Sequence, residues 1–208
     1  GDVFVGVDQD QTSQEFQLSF NQGPWTVVGG VYWMNENIVS HQEAYADDYL
    51  GAAFGNPTFL RTVDDDLETT SQAAYVNVSY DLTETVQVTA GLRYTDEEKV
   101  YSRSTSTFSS NALFTANPAF AFNNLTESWD DVSPMADIRW MPSENVTLYL
   151  RGSKGFKSGG FNGRANNPGE QAPYDPETVT SYEGGLKTTW DGGRYLLNFT
   201  VFTNDYRD

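Results

Sequence analysis

Oily residues fall on every second position along much of this chain, in runs that break at short turns, and no other feature narrows the possible folds as far. Residues 12–20 put Phe16, Leu18 and Phe20 on one side and Glu15, Gln17 and Ser19 on the other, because strand side chains alternate with a period of two. A short turn at 21–24 follows, and Trp25, Val27, Gly29, Val31 and Trp33 carry the oily side back. The same happens with Ala74, Val76, Val78 and Tyr80, a turn at 81–85, and then Val86, Val88, Ala90, Leu92 and Tyr94. Their alternates, such as Asn77, Ser79, Gln87, Thr89, Arg93 and Thr95, are polar. Pro134, Ala136, Ile138 and Trp140 lead through 141–145 to Val146, Leu148 and Leu150, which stand opposite Thr147, Tyr149, Arg151 and Ser153. Tyr182, Gly184, Leu186, Thr188 and Trp190 return against Glu183, Gly185 and Lys187. An Asp191-Gly192-Gly193 turn then leads into Leu197, Phe199 and Val201.

The connections between these runs are unequal. About eight strands are joined by four short turns at one end. At the other end stand three long polar segments, 36–68, 96–128 and a Gly- and Lys-rich crossing after residue 153. Each greatly exceeds the usual connection of about 4–6 residues, so each reads as an exposed loop. Asp47, Asp48, Asp64, Asp65 and Asp66 read as solvated surface there, His41 as a loop residue, and Asn117-Pro118 as a turn. Soluble sandwiches spread connection lengths more evenly, whereas outer-membrane barrels have short turns at one end and long loops at the other.

Composition bounds the function. With a mean hydropathy of -0.53 and only short apolar runs, the chain cannot supply a spanning helix of about 20 apolar residues. Barrel strands need only about 9–11 residues with oily positions on one face, and Trp25 and Trp33 close such a run at both ends, where amphipathic rings meet a membrane interface. A net charge of -17 argues against nucleic acid, whose phosphates call for clustered Lys and Arg. With no Cys and one His, neither a disulfide framework nor a metal site can be assembled from familiar ligand spacings. Residues 154–160 lack the spacing of a phosphate-binding loop despite their glycines, and no nucleophile stands with a base. The residues therefore point away from an enzyme and call for no cofactor.

The segment KGFKSGGFN at 154–162, then PETVTSYEGGLK at 176–187 and a short Asp-Gly turn, closely resembles the barrel of TonB-dependent outer-membrane receptors. TSQEFQLSF, YVNVSYDLTETVQVTAGLRYTDEEK, WDDVSPMADIRW and YLLNFTVFTNDYRD extend the resemblance over nearly the whole chain. It implies an all-β, antiparallel up-and-down transmembrane β-barrel, with about eight strands of a wall of about 22, open as a fragment. Residues 1–208 would then form a partial barrel domain, with the plug and the C-terminal strands lying outside it. The chain would enter and leave at the extracellular side, in the outer membrane of a Gram-negative bacterium. The implied function is uptake of a ferric siderophore or similar scarce nutrient. Its partners would be membrane lipid, the nutrient, and TonB acting through the plug, with no nucleic acid.

Two sets of site residues follow. Arg93, Arg151, Glu183 and Lys187 share the wet face and belong in the lumen, since Arg or Lys on the lipid face costs roughly 2–4 kcal/mol at the midplane. Lys154, Phe156, Lys157 and Phe161 are the loop residues expected to touch substrate. A competing reading is a secreted soluble β-sandwich, such as a carbohydrate-binding module, whose alternation faces an internal core. The two differ over Trp33, Trp140, Trp190, Leu197 and Phe199, which a barrel exposes and a sandwich buries. An open fragment also leaves 12–20 unpaired with 195–203.

Overall fold

The computed structural model describes residues 2–47, 58–109 and 117–207. Eight strands form a single antiparallel sheet in sequence order, β1 to β8. They are Asp2–Gln22, Trp25–Asp47, Thr58–Thr83, Val86–Ser109, Asn117–Ser143, Val146–Lys157, Glu177–Trp190 and Tyr195–Arg207. The four short turns fall where the alternation breaks. At the first, Gly23 has a φ of 57°, the left-handed conformation that primed hairpin turns require and glycine adopts without steric cost. Among the described residues β1 and β8 do not pair with each other, so the sheet has two free edges.

Register fixes the faces, because directly opposed residues share one. Phe16, Val31, Ala74, Tyr94 and Val132 stand in one cross-strand row, and Leu18, Gly29, Val76, Leu92 and Pro134 in the next. The opposite face carries rows such as Tyr75–Arg93–Ser133 and Asp137–Arg151–Glu183. Among the described residues no second sheet covers the oily side. The five discriminating residues are exposed, from 39% at Trp33 to 61% at Phe199, whereas a sandwich would hold them between sheets about 10 Å apart. Trp25 packs on Tyr80 with ring centroids 4.4 Å apart. With Trp140, Trp190 and Tyr195 they form an aromatic row near the turns. Trp33, Tyr94 and Tyr182 form a second row roughly 26 Å further along the strands, near the length of about 9–11 residues that a tilted membrane strand needs.

Two loop expectations are corrected. Most of 36–68 and 96–128 is strand: β2 continues to Asp47, β3 begins at Thr58, β4 reaches Ser109 and β5 starts at Asn117, where a turn was expected. His41 is a strand residue opposite Asp64, and Asp47, Asp64, Asp65 and Asp66 are in strands, while Asp48 lies outside the described residues. The 26 residues of β3 extend roughly 85 Å, far more than a bilayer needs. Above the oily band both faces meet water, so the apolar rhythm stops while backbone pairing continues. Likewise Lys154, Phe156 and Lys157 are not in a loop but end β6.

Candidate functional site

Only one described segment forms a layer over the sheet: the connection at 158–176, which folds onto the polar face of β3, β4 and β5. The sheet prepares the seat. Between Tyr101 and Arg103 the β4–β5 register shifts, and Asn124 takes a φ of 53° beside it. Such a bulge bends the strand and re-aims its side chains. Thr69, Ser71 and Ala73 of β3 are buried in the same area.

Arg103 and Tyr101 make the centre of the seat, each 4% exposed. Tyr101 Oη donates to Asp65 Oδ1 at 2.6 Å, and Arg103 Nη1 donates to the same oxygen at 2.6 Å and to Tyr101 Oη at 3.1 Å. Arg103 Nε donates to the carbonyl of Ala165 at 2.9 Å, and Ala165 is fully buried. A charged donor thus reaches across from the wall to hold the loop backbone, the stronger kind of hydrogen bond. Burial, and next the hydrogen bond to Asp65, push the Tyr101 phenol up to about 12. The phenol therefore stays protonated as a donor.

A second contact lies one turn of the loop earlier. Lys99 Nζ donates to Ser158 Oγ and to the Gly159 carbonyl, both at 2.8 Å, and sits 3.2 Å from Glu97, which also accepts from Ser158. Phe161 stacks on Tyr101 at 5.6 Å and meets the edge of Trp129 at 6.3 Å. Gly159 is so close to the Tyr174 carbonyl and the Trp129 ring that a Cβ would run into both. The loop closes on itself through the Gly160–Tyr174 bridge, while Asn167 caps a 3-10 turn at Pro168–Glu170 by accepting from Gly169 N at 3.0 Å.

This strap separates two depressions on the polar face. One, of about 320 Å³, is lined by Arg61, Arg103, Arg164, Asn166 and Gln42. The other, of about 560 Å³, is lined by Arg93, Lys154, Phe156, Lys157, Ser133 and Ser158. Arg93 and three of the expected loop contacts therefore come together. Lys154 also pairs with Asp131, and Lys157 stands 3.5 Å from Glu177. Phe161 does not join them, since its ring is committed to Tyr101 and Trp129. Arg151, Glu183 and Lys187 form a separate group nearer the turns. There Tyr149 donates to Glu183 at 2.5 Å, Lys187 lies over the Tyr149 ring at 5.4 Å, and Arg151 stands in register with Asp137 and Glu183.

Sequence reasoning missed Lys99, Tyr101, Arg103 and Trp129. The signal was available, since Tyr101, Arg103 and Thr105 continue the parity of Arg93, Thr95, Glu97 and Lys99. It was masked by the Ser- and Thr-rich composition that suggests a loop.

The cations are almost confined to one face, whereas acids stand on both, with Glu15, Asp65, Glu97, Asp131, Asp137 and Glu183 among the cations on the polar face. Of the 12 Lys and Arg, all but Arg194 and Arg207 lie on the polar face, reach into it or ride on the loop over it. The outward face beyond the aromatic row carries Asp8, Asp10, Asp64, Asp66, Glu68, Asp96, Glu98 and Asp130. There His41 Nδ1 is 2.6 Å from Asp64, and Nε2 is 3.1 Å from Glu43. Hydrogen bonding to Asp64, then to Glu43, raises the His41 pKa above its ordinary value. Among the described residues no group of acids and His is arranged to hold a metal ion.

Residues 2–208 match the family model of the TonB-dependent receptor-like β-barrel. Three solved structures share the fold. The ferric yersiniabactin uptake receptor FyuA of Yersinia pestis superposes with a TM-score of 0.77 at 18% identity, over 97% of this chain and 29% of that one. The closed form of the ferric-catecholate import receptor Fiu of E. coli K12 gives 0.66 at 14%, over 97% and 32%. The siderophore receptor PiuA of Acinetobacter baumannii gives 0.58 at 18%, over 94% and 32%. The chain spans about a third of the length of these receptors. A one-layer meander, oily on one side and charged on the other, together with a family match along almost its entire length, makes this chain a member of the TonB-dependent receptor family, within its β-barrel.

Proposed function

We propose that this chain is part of the wall of an outer-membrane receptor that imports a ferric siderophore or a chemically similar anionic nutrient in a TonB-dependent manner. The observation that carries the reading is the sorting of charge: a chain of net charge -17 keeps nearly all of its cations on the face that would line the lumen. Lys99, Arg103, Lys154 and Lys157 are paired there with Glu97, Asp65, Asp131 and Glu177, so the attraction for an anion is local, and a field focused at such a station raises the concentration of a ligand of opposite sign. Arg61 and Arg164 at the outer depression, and Arg93, Lys154 and Lys157 at the inner one, offer two successive stations for such a ligand. The strap at 158–176 lies between them.

Support for iron comes from the solved relatives, all of which are named for siderophore or ferric-chelate uptake. In this reading lipid covers the oily band, Arg93, Arg151, Glu183 and Lys187 face the lumen, and TonB acts through a plug elsewhere in the full-length protein. Wall residues bind and steer while the iron chelate passes as cargo, so no bond is made or broken by this segment.

The test is uptake of radiolabelled iron by cells that carry the full-length receptor, offered as catecholate, hydroxamate and phenolate chelates, with and without functional TonB. We expect uptake of at least one anionic chelate that stops without TonB and falls in Arg93→Ala/Lys157→Ala cells. Uptake of none of these chelates by an inserted receptor would count against iron and favour a different nutrient.

A further inference from the structure

We propose that the outer depression and a valine strip beside it take an acylated anionic chelate, with the head against Arg61 and Arg164 and the acyl chain along β1. This rests on the import reading above and names the class of substrate. The carrying observation is an inversion of the oily face within one strand. β1 pairs with β2 from Asp2 to Gln22 without a register shift, so the side-chain parity of the oily band holds to the far end of the strand. Phe16, Leu18 and Phe20 therefore face outward, whereas Val3, Val5 and Val7 stand on the lumen side, each more than half exposed. At the same level the outward face carries Asp8, Asp64 and Asp66. Strand pairing alone does not call for valine on the wet side, since Thr serves a pleated surface as well. An apolar strip turned toward water marks a place where something apolar binds.

The strip runs into the depression of about 320 Å³, where Val3, Ala44 and Val63 give an apolar floor beside Arg61 and Arg164. Val3 stands in one row with Ala44 and Arg61, and Val5 in the next with Gln42 and Val63. Arg61 Nη2 donates to Asn166 Oδ1. Asn166 in turn donates through its backbone N to Glu170 at 2.9 Å and through Nδ2 to the Arg164 carbonyl at 2.8 Å. The strap is thus tied down where it presents its arginine. Neither Arg61 nor Arg164 forms an ion pair among the described residues, unlike Arg103, which Asp65 neutralises. Glu43 also borders the depression, but its carboxylate is on the outward face with His41 and Tyr45. Two guanidinium forks without a carboxylate suit the paired oxygens of an anionic head. From Val3 to Val7 the strip extends roughly 13 Å, about the length of a decanoyl chain. A chelate without a tail would leave the valines wet, and an uncharged lipid would leave the arginines unmatched. Only an amphiphile uses both.

The experiment measures binding of radiolabelled iron to the full-length receptor in nanodiscs, with the signal of empty nanodiscs subtracted. Two ferric citrate–dihydroxamate chelates are compared that differ only in bearing acetyl or decanoyl groups. We expect the decanoyl chelate to bind roughly fifty-fold more tightly, the equivalent of about three buried methylene groups. In Val3→Thr/Val5→Thr/Val7→Thr that ratio should fall below about three-fold, with Val5→Thr alone in between. Threonine keeps the branched shape that strands favour, and heat-modifiable mobility reports folding of each variant. Arg61→Gln/Arg164→Gln should weaken both chelates by about ten-fold and leave their ratio as it was. Equal binding of the two chelates by the unaltered receptor overturns the amphiphile site and leaves the import reading standing. A ratio that survives the valine changes in a folded variant also overturns it, as does decanoate that displaces the decanoyl chelate as well as the chelate displaces itself. Binding of neither chelate overturns the site and, if uptake of every iron chelate fails as well, the import reading with it.

Discussion

Arg103 shows how much one side chain decides when it is buried and has three partners. Replacing it with Ala leaves Asp65 and the Ala165 carbonyl without their shared donor, at a cost of about 1–3 kcal/mol. Most of that loss falls on the docked strap, so limited proteolysis of the full-length Arg103→Ala receptor should cut within 158–176 several-fold faster than wild type. Gly159→Ala should do the same for a steric reason, since the added methyl meets the Tyr174 carbonyl and the Trp129 ring. Equal cutting rates would show that the loop is held elsewhere. His41 provides a pH-dependent contact on the opposite face. Because its folded pKa is raised, its contribution to stability is fully present below the ordinary value of about 6.5 and is lost as pH rises through the folded value. As the only His in this segment it can be followed by NMR through selective labelling and comparison with His41→Gln. Asp64→Asn should lower its pKa toward the ordinary value, and an unchanged titration would remove Asp64 as the cause.

At the scale of a strand, the same alternation has different consequences at its two ends. Near the turns, one face meets hydrocarbon and the other water, so adjacent residues in β8 are not equivalent. Leu197 stands opposite Thr188 on the oily face, and Asn198 opposite Lys187 on the polar one. Leu197→Arg should impair assembly in the outer membrane, by less than the roughly 2–4 kcal/mol of the midplane because Leu197 is close to the aromatic row, while Asn198→Arg should be tolerated. The check is heat-modifiable mobility of the full-length receptor, and equal effects would mean the faces are assigned wrongly. Further along, β2 to β5 rise beyond the aromatic row as paired ribbons, with Thr and Tyr frequent in β3 and β4. Those residue types fit a pleated surface without needing a core. This is why the strands continue where the oily rhythm has already ended.

For the whole molecule, the governing fact is that the sheet is open. β1 and β8 leave their outer hydrogen-bonding groups unpaired among the described residues, and an exposed edge recruits other strands. The isolated 208-residue segment should therefore aggregate or form mixed oligomers on refolding in detergent, as size-exclusion chromatography would report. A stable monomer would require the two edges to close on each other. Sorted charge also has a consequence at this scale, because steering weakens as salt shortens the screening length. Association of an anionic chelate with the full-length receptor should slow several-fold between about 0.01 and 0.15 M salt, whereas a neutral ligand should be indifferent.

The faces of the strands and the positions of the short turns could be read directly from the chain, whereas the choice between a lipid-facing wall and a two-layer sandwich was decided only by the exposure of Trp33, Trp140, Trp190, Leu197 and Phe199. Faces and turns are set by local chemistry repeating every two residues, and a one-residue slip would turn every oily group the wrong way. How far the strands extend could not be read, because above the membrane both faces meet water and the periodic signal disappears although pairing persists. Nor could the seat of the strap: Lys99, Tyr101 and Arg103 meet Ser158, Gly159, Phe161 and Ala165 across some 60 residues of chain. Only the register between strands, a property of the folded sheet, brings those groups within hydrogen-bonding distance.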